Sequence, residues 1–167
     1  MTSPAAPAIE TANLGRVRGV VAAARRRLRV QAALEGATTA SILASASALT
    51  TVFAVRTEAI APGTGIGLLA ACGGVIAVGA VLGATRRLED EDVARKVDRA
   101  SGLADRLSTA IAFERMLDEN KAADDPETLE MMRAAMRDAV RAAPRANVIA
   151  AAPFRRPRDL PIALGLL

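Results

Sequence analysis

Tryptophan, tyrosine and histidine are absent from the 167 residues, which hold three phenylalanines and one cysteine. Without histidine the chain lacks the commonest general base and the commonest transition-metal ligand. A single cysteine, Cys72, excludes a disulfide or a cysteine-based zinc site within one chain. It sits in an apolar stretch and reads as a small apolar residue. Lysine is nearly missing too: Lys96 and Lys121 are the two, and the other twenty basic residues are arginine. High arginine content is one mark of nucleic-acid binding. Here the arginines are dispersed and partly balanced by acids, for a net charge of +4, and no aromatics stand beside them to stack on bases. The expectation is no nucleic acid, no cofactor, no metal and no evident small-molecule substrate.

Charge is also missing from two long stretches. Twenty uncharged residues lie between Glu35 and Arg56, and twenty-seven between Glu58 and Arg86. A helix rises about 1.5 Å per residue, so roughly twenty residues cross a hydrocarbon core of about 30 Å. The segment 65–84 carries Ile66, Leu68, Leu69, Val75, Ile76, Val78, Val81 and Leu82 among Ala, Gly and Cys72. Its six glycines would weaken a helix in water by roughly 1 kcal/mol each relative to Ala. In lipid they are tolerated, because the backbone has no water to turn to. The segment 36–55 is less apolar, with seven Ser or Thr whose hydroxyls are expected to bond back to the preceding helical turn.

These features predict an all-α protein: a transmembrane two-helix hairpin over 36–85, with spans near 36–55 and 65–84, plus amphipathic cytoplasmic helices. Gly79 and Gly83 form a GxxxG pair and are the expected helix-packing residues.

Around the hairpin the chain divides by composition. Residues 1–12 are rich in Pro, Ala and Thr and are expected to be a disordered lead. In 13–35, Leu14, Val17, Val20, Val21, Ala24 and Leu28 recur at helical spacing among six arginines. That pattern suits a basic helix lying on an anionic membrane surface. The same arginines, with Arg86 and Arg87 after the second span, place both flanks in the cytoplasm. The link 56–63 is nearly neutral and ends on Pro62 and Gly63, read as helix stops. The arginines at 25–27 lie too far from the start, and are followed too soon by a second span, for an export signal.

Residues 86–150 are charged and helical in pattern. Glu89, Asp90, Glu91 and Asp92 stack acid at a helix start, where the dipole favours it. Adjacent helical side chains diverge, so these four do not converge on a metal. Ser101 and Gly102 interrupt the next apolar stripe and predict a kink or two helices. Asp125 and Pro126 read as an N-cap and first-turn pair. The helix after them presents Leu129, Met132, Met136 and Val140 on one side, the expected partner surface, and stops before Pro144. A basic lip, 154–159, precedes an apolar run of eight residues, 160–167, which reads as the start of a truncated third span.

Two stretches carry a likeness. VDRASGLADRLSTAIAFE at 97–114 and APFRRPRDL at 152–160 resemble the membrane-anchor region of a loose group of uncharacterised bacterial multi-pass inner-membrane proteins. The resemblance implies a two-helix hairpin, a cytoplasmic helical segment, a third span and a long helical C-terminal part. It carries over no catalytic residue.

The expected function is a membrane-anchored helical scaffold or interaction protein of the bacterial inner membrane, not an enzyme. Its partners would be the lipid bilayer and a protein, or a second copy, on the amphipathic helices. A small oligomeric transport or channel subunit is a second reading, weakened because no ionisable residue lies inside either span. A soluble helical bundle with the apolar segments as its core is a third.

Overall fold

The computed structural model describes residues 5–119, 125–157 and 159–165. Among them every regular element is helical and no strand occurs: α1 (Ala5–Arg56), α2 (Pro62–Ala84), α3 (Asp90–Ser101), α4 (Arg106–Asp118), α5 (Pro126–Ala142), a 3-10 turn (Ala143–Arg145), α6 (Val148–Ala151) and α7 (Leu160–Gly165). Two compact units form. One combines the chain up to Arg27 with Leu88–Pro153, and the other combines Leu28–Arg87 with the segment from Phe154.

Helix α1 departs from the expected lead. Residues 5–12 are helical in backbone and continuous with the remainder of α1. Pro7 stands in the first turn, where a missing N–H leaves no bond unmade. Residues 1–4 lie outside the described residues, as do 120–124 between α4 and α5, Arg158 of the basic lip and the last two leucines.

The first unit is a small helical bundle. Leu14, Val17, Val21 and Ala24 of α1 are buried in it with Val93 and Val97 of α3, Leu107 and Ala110 of α4, and Met132, Met136 and Ala139 of α5. Each buried Val, Leu or Met side chain contributes on the order of 1.5–3 kcal/mol. This corrects the picture of a basic helix lying on lipid. The apolar face of α1 is occupied inside the protein, and one face cannot be buried twice. What remains outward is the arginine-rich side: Arg16, Arg18, Arg26 and Arg29 are exposed.

Between α3 and α4 the chain turns sharply. Gly102 (φ 64°) closes α3, and its N–H donates to the Asp98 carbonyl. Ala104 (φ 49°) and Asp105 (φ 59°) are also left-handed, a conformation that costs an L-residue roughly 1–2 kcal/mol. The predicted interruption at Ser101 and Gly102 is therefore a break into two helices. Helix α5 starts on the expected cap: the Asp125 carboxylate accepts from Thr128 N at 3.1 Å and Thr128 Oγ1 at 2.7 Å. Asn147 caps α6 by accepting from Ala150 N at 3.0 Å. Its own N–H donates to Ser101 Oγ at 2.8 Å, which ties α6 to the end of α3.

In the second unit α1 and α2 run antiparallel. Pro62 does not stop a helix but opens α2 as its first residue. A proline there gives up an N–H that the first turn does not use, and its fixed φ suits the helix. Glu58 (φ 58°) makes the turn of the link possible. Five of the seven Ser and Thr hydroxyls in the first apolar stretch bond back into their own helix, as Thr38 Oγ1 does to Leu34 O at 2.8 Å and Thr51 Oγ1 to Ser47 O at 2.9 Å.

Candidate functional site

Three places in the two units combine unusual geometry with chemistry: the contact of α1 with α2, a charged groove in the bundle, and a polar cleft beside α7.

The helix contact is made by the smallest residues available. A methyl group added at Gly79 would lie 2.5 Å from the Ala40 Cβ and 2.7 Å from the Gly36 carbonyl oxygen. One added at Gly36 would run into the Gly79 carbonyl, and one at Gly83 into the Ala32 carbonyl. Gly65 faces Val55 at the other end. Gly79 and Gly83 thus sit where the two backbones approach most closely, and Gly36 on α1 completes the set. Gly67, Gly73 and Gly74 have open space instead.

With small residues inward, the large ones face out. Phe53 and Ile66 are each 70 % exposed and Leu82 is 66 %, with Leu43, Leu49, Val78 and Val81 close behind. Both helices are long and apolar enough to cross a membrane. Of the most apolar window of α2, 6 % is buried. A soluble core helix shows the reverse, its large side chains covered.

The bundle's groove has a volume of about 730 Å³ and is lined by Arg18 and Arg25 of α1, Asp90 and Glu91 of α3, and Glu114 and Arg115 of α4, among others. Its charges answer one another. Arg18 grips Glu114 through two nitrogens, at 2.8 and 3.0 Å. Arg25 meets Asp90 at 2.8 Å, and Glu91 receives both Arg95 at 2.9 Å and Arg115 at 3.2 Å. The Glu114 carboxylate holds the Arg18 guanidinium above its ordinary pKa, first by its hydrogen bond and then by its charge. These pairs fasten the start of α1 to α3 and α4. They leave no nucleophile beside a base. Among the described residues no three His, Cys, Asp or Glu side chains gather as a metal site would require.

The expected partner surface on α5 is placed differently. Met132 and Met136 are buried, Met136 to 3 % exposure, while Leu129 and Val140 are half-buried. The apolar stripe of α5 is present at the expected positions, but it faces α4 and the bundle interior. The exposed methionine of α5 is Met131, at 63 %.

Sequence reasoning missed Asp98. It is 1 % exposed, and its carboxylate accepts from Leu107 N at 3.1 Å and Ser108 N at 2.8 Å. Those are orphan donors of the first turn of α4, whose own preceding residue, Asp105, provides no side-chain cap. An aspartate one turn before a Ser-Gly break, with a second helix following, was the available signal.

The polar cleft lies in the second unit and holds about 520 Å³ among Gln31, Glu35, Thr39, Arg155, Arg156, Pro157 and Asp159. Gln31 Nε2 donates to Glu35 Oε1 at 3.2 Å, and the Thr39 hydroxyl is shared between the Glu35 carbonyl at 3.1 Å and Asp159 Oδ2 at 3.5 Å.

Comparison of the chain with protein families, with curated proteins and with solved structures finds no match.

Proposed function

We propose that this protein is a membrane-anchored helical scaffold: α2 and the part of α1 from Gly36 form a two-helix hairpin across the bacterial inner membrane, and the bundle is displayed in the cytoplasm. One observation carries the reading. The hairpin turns glycine and alanine inward and Phe53, Ile66, Leu82 and their neighbours outward. In water that surface is an aggregation liability far larger than soluble monomers expose. In lipid it is the ordinary solvent-facing side, and close backbone approach is what holds such helices together. Arginine on both flanks of the hairpin and a nearly neutral link favour a cytoplasmic assignment for the two ends of the hairpin. The reading gives the chain no chemistry of its own. Its role is to hold a compact, charged bundle at the membrane face for a protein partner or a second copy.

Thiol labelling in intact cells tests this. Thr57→Cys in the link and Ala134→Cys on α5 are both exposed positions, placed singly over Cys72→Ala. The expected result is reaction of the Thr57 variant alone with an impermeant reagent. Recovery of the protein in the soluble fraction, or reaction of the Ala134 variant alone, would overturn the proposal.

A further inference from the structure

The polar cleft of the second unit carries charges of both signs that do not pair with each other. Arg155 and Arg156 are exposed and form no ion pair among the described residues, although Glu35 and Asp159 line the same cleft. Among the described residues each carboxylate meets only a neutral donor: Gln31 for Glu35, and for Asp159 the Thr39 hydroxyl at 3.5 Å, which it shares with the Glu35 carbonyl at 3.1 Å. Two guanidinium groups and two carboxylates around one opening suit neither a simple anion nor a simple cation. They suit a zwitterion, with a phosphate at the arginines and an ammonium at the acids.

Position narrows the class. Ala32 lies against Gly83 and Gly36 against Gly79, so on the antiparallel pair Gln31 and Glu35 stand level with the final turns of α2, which ends at Ala84. On α1 this is where charge ends and the uncharged stretch begins. Under the membrane reading, on which this inference rests, that level is the cytoplasmic headgroup layer. The volume of about 520 Å³ is within the usual range of roughly 300–1,000 Å³ for small-ligand sites.

We infer that this cleft binds the headgroup of a phospholipid with a primary amine, of the phosphoethanolamine type. Arg155 and Arg156 hold the phosphate as charge-assisted donors. Glu35 and Asp159 accept from the ammonium, which offers three donors where a trimethylated amine offers none. An anionic lipid without an amine would bring its phosphate to the arginines but leave both carboxylates unanswered. The site therefore selects among lipids by headgroup chemistry.

The test is native mass spectrometry of the full chain released from detergent micelles doped with phosphatidylethanolamine, phosphatidylglycerol or phosphatidylcholine. The expected result is selective retention of phosphatidylethanolamine. The double change Arg155→Ala/Arg156→Ala should weaken its retention roughly tenfold, the scale of one lost charge-assisted contact. Arg155→Lys/Arg156→Lys should restore most of it. Glu35→Gln should erase the preference over phosphatidylglycerol while leaving phosphate binding in place. Equal retention of the three lipids, or variants that bind like the parent, would overturn the inference. So would equal competition by free phosphoethanolamine, which would make the ligand a soluble one. Resistance of every variant to alkaline extraction from membranes separates the two readings. A protein that stays inserted but shows no headgroup preference defeats this inference alone, and one that is extracted defeats the membrane reading as well.

Discussion

Asp98 and Ser108 are joined across the sharpest corner of the bundle, with the buried carboxylate of one accepting the main-chain N–H of the other at 2.8 Å. Leu107 N shares the same carboxylate at 3.1 Å. A side chain of α3 thereby starts α4, and the left-handed residues Ala104 and Asp105 between them are held in place by helices on both sides. Removing the carboxylate in Asp98→Ala leaves two donors buried and unpaired, at about 1–3 kcal/mol for such a group. Asp98→Asn keeps one oxygen and should fall between. Hydrogen exchange of α4 in the full chain is the measurement. Exchange unchanged in both variants would remove Asp98 from this role.

The burial of Met136 separates a core from a docking face. Truncation of a buried methionine costs about 2–5 kcal/mol, so Met136→Ala should open α5 to trypsin at the exposed Arg133 and Arg137. Met131→Ala, on the outer side of the same helix, should change stability by less than about 0.5 kcal/mol. If both variants resist trypsin equally, α5 does not contribute its methionines to the interior.

Two glycines of α2 should behave in opposite ways. At Gly79 even a methyl group meets Ala40 and the Gly36 backbone, whereas at Gly74 the space is open. Gly79→Val should force the helices apart and lower the melting midpoint of the detergent-solubilised protein. Gly74→Val should leave it nearly unchanged. Equal midpoints would mean that the close approach of the two helices adds nothing to stability.

Acid should loosen the start of α5. Thr128 donates to Asp125 through both its hydroxyl and its N–H, and this holds the Asp125 carboxyl below the ordinary carboxylate range. A carboxyl depressed in the folded state stabilises it fully above the unfolded value, about 3.9. That contribution disappears as pH falls through the lower, folded value. Carbon chemical shifts of Thr128, followed from pH 6 towards 2, should lose helical character late in that range. Asp125→Asn should give a flat profile across it. A wild-type profile equally flat would show that the cap does not depend on the charge.

Local signals were the legible ones. The uncharged lengths on either side of the link, the Ser-Gly interruption before α4, and the Asp125–Pro126 start of α5 each depend on residues within one or two turns of one another. Pro62 misled for a related reason: a proline is written the same way whether it ends one helix or begins the next, and only the backbone on each side distinguishes them. Asp98 was illegible because its partners, Leu107 and Ser108, come into reach only after the chain has turned back.

By itself the sequence determined that this protein is helical and that two of its stretches are long and apolar enough to cross a bilayer. Composition and period are properties of a segment, and they survive whatever that segment meets. What each apolar face meets was decided only by the tertiary structure. The stripe of Leu14, Val17, Val21 and Ala24 is equally suited to lipid or to protein, and so is that of Met132 and Met136. Both are buried in one bundle, where the start of α1 closes a core with α3, α4 and α5. The glycines of α2 likewise look alike in sequence. Gly79 and Gly83 differ from Gly73 and Gly74 only in having another backbone against them.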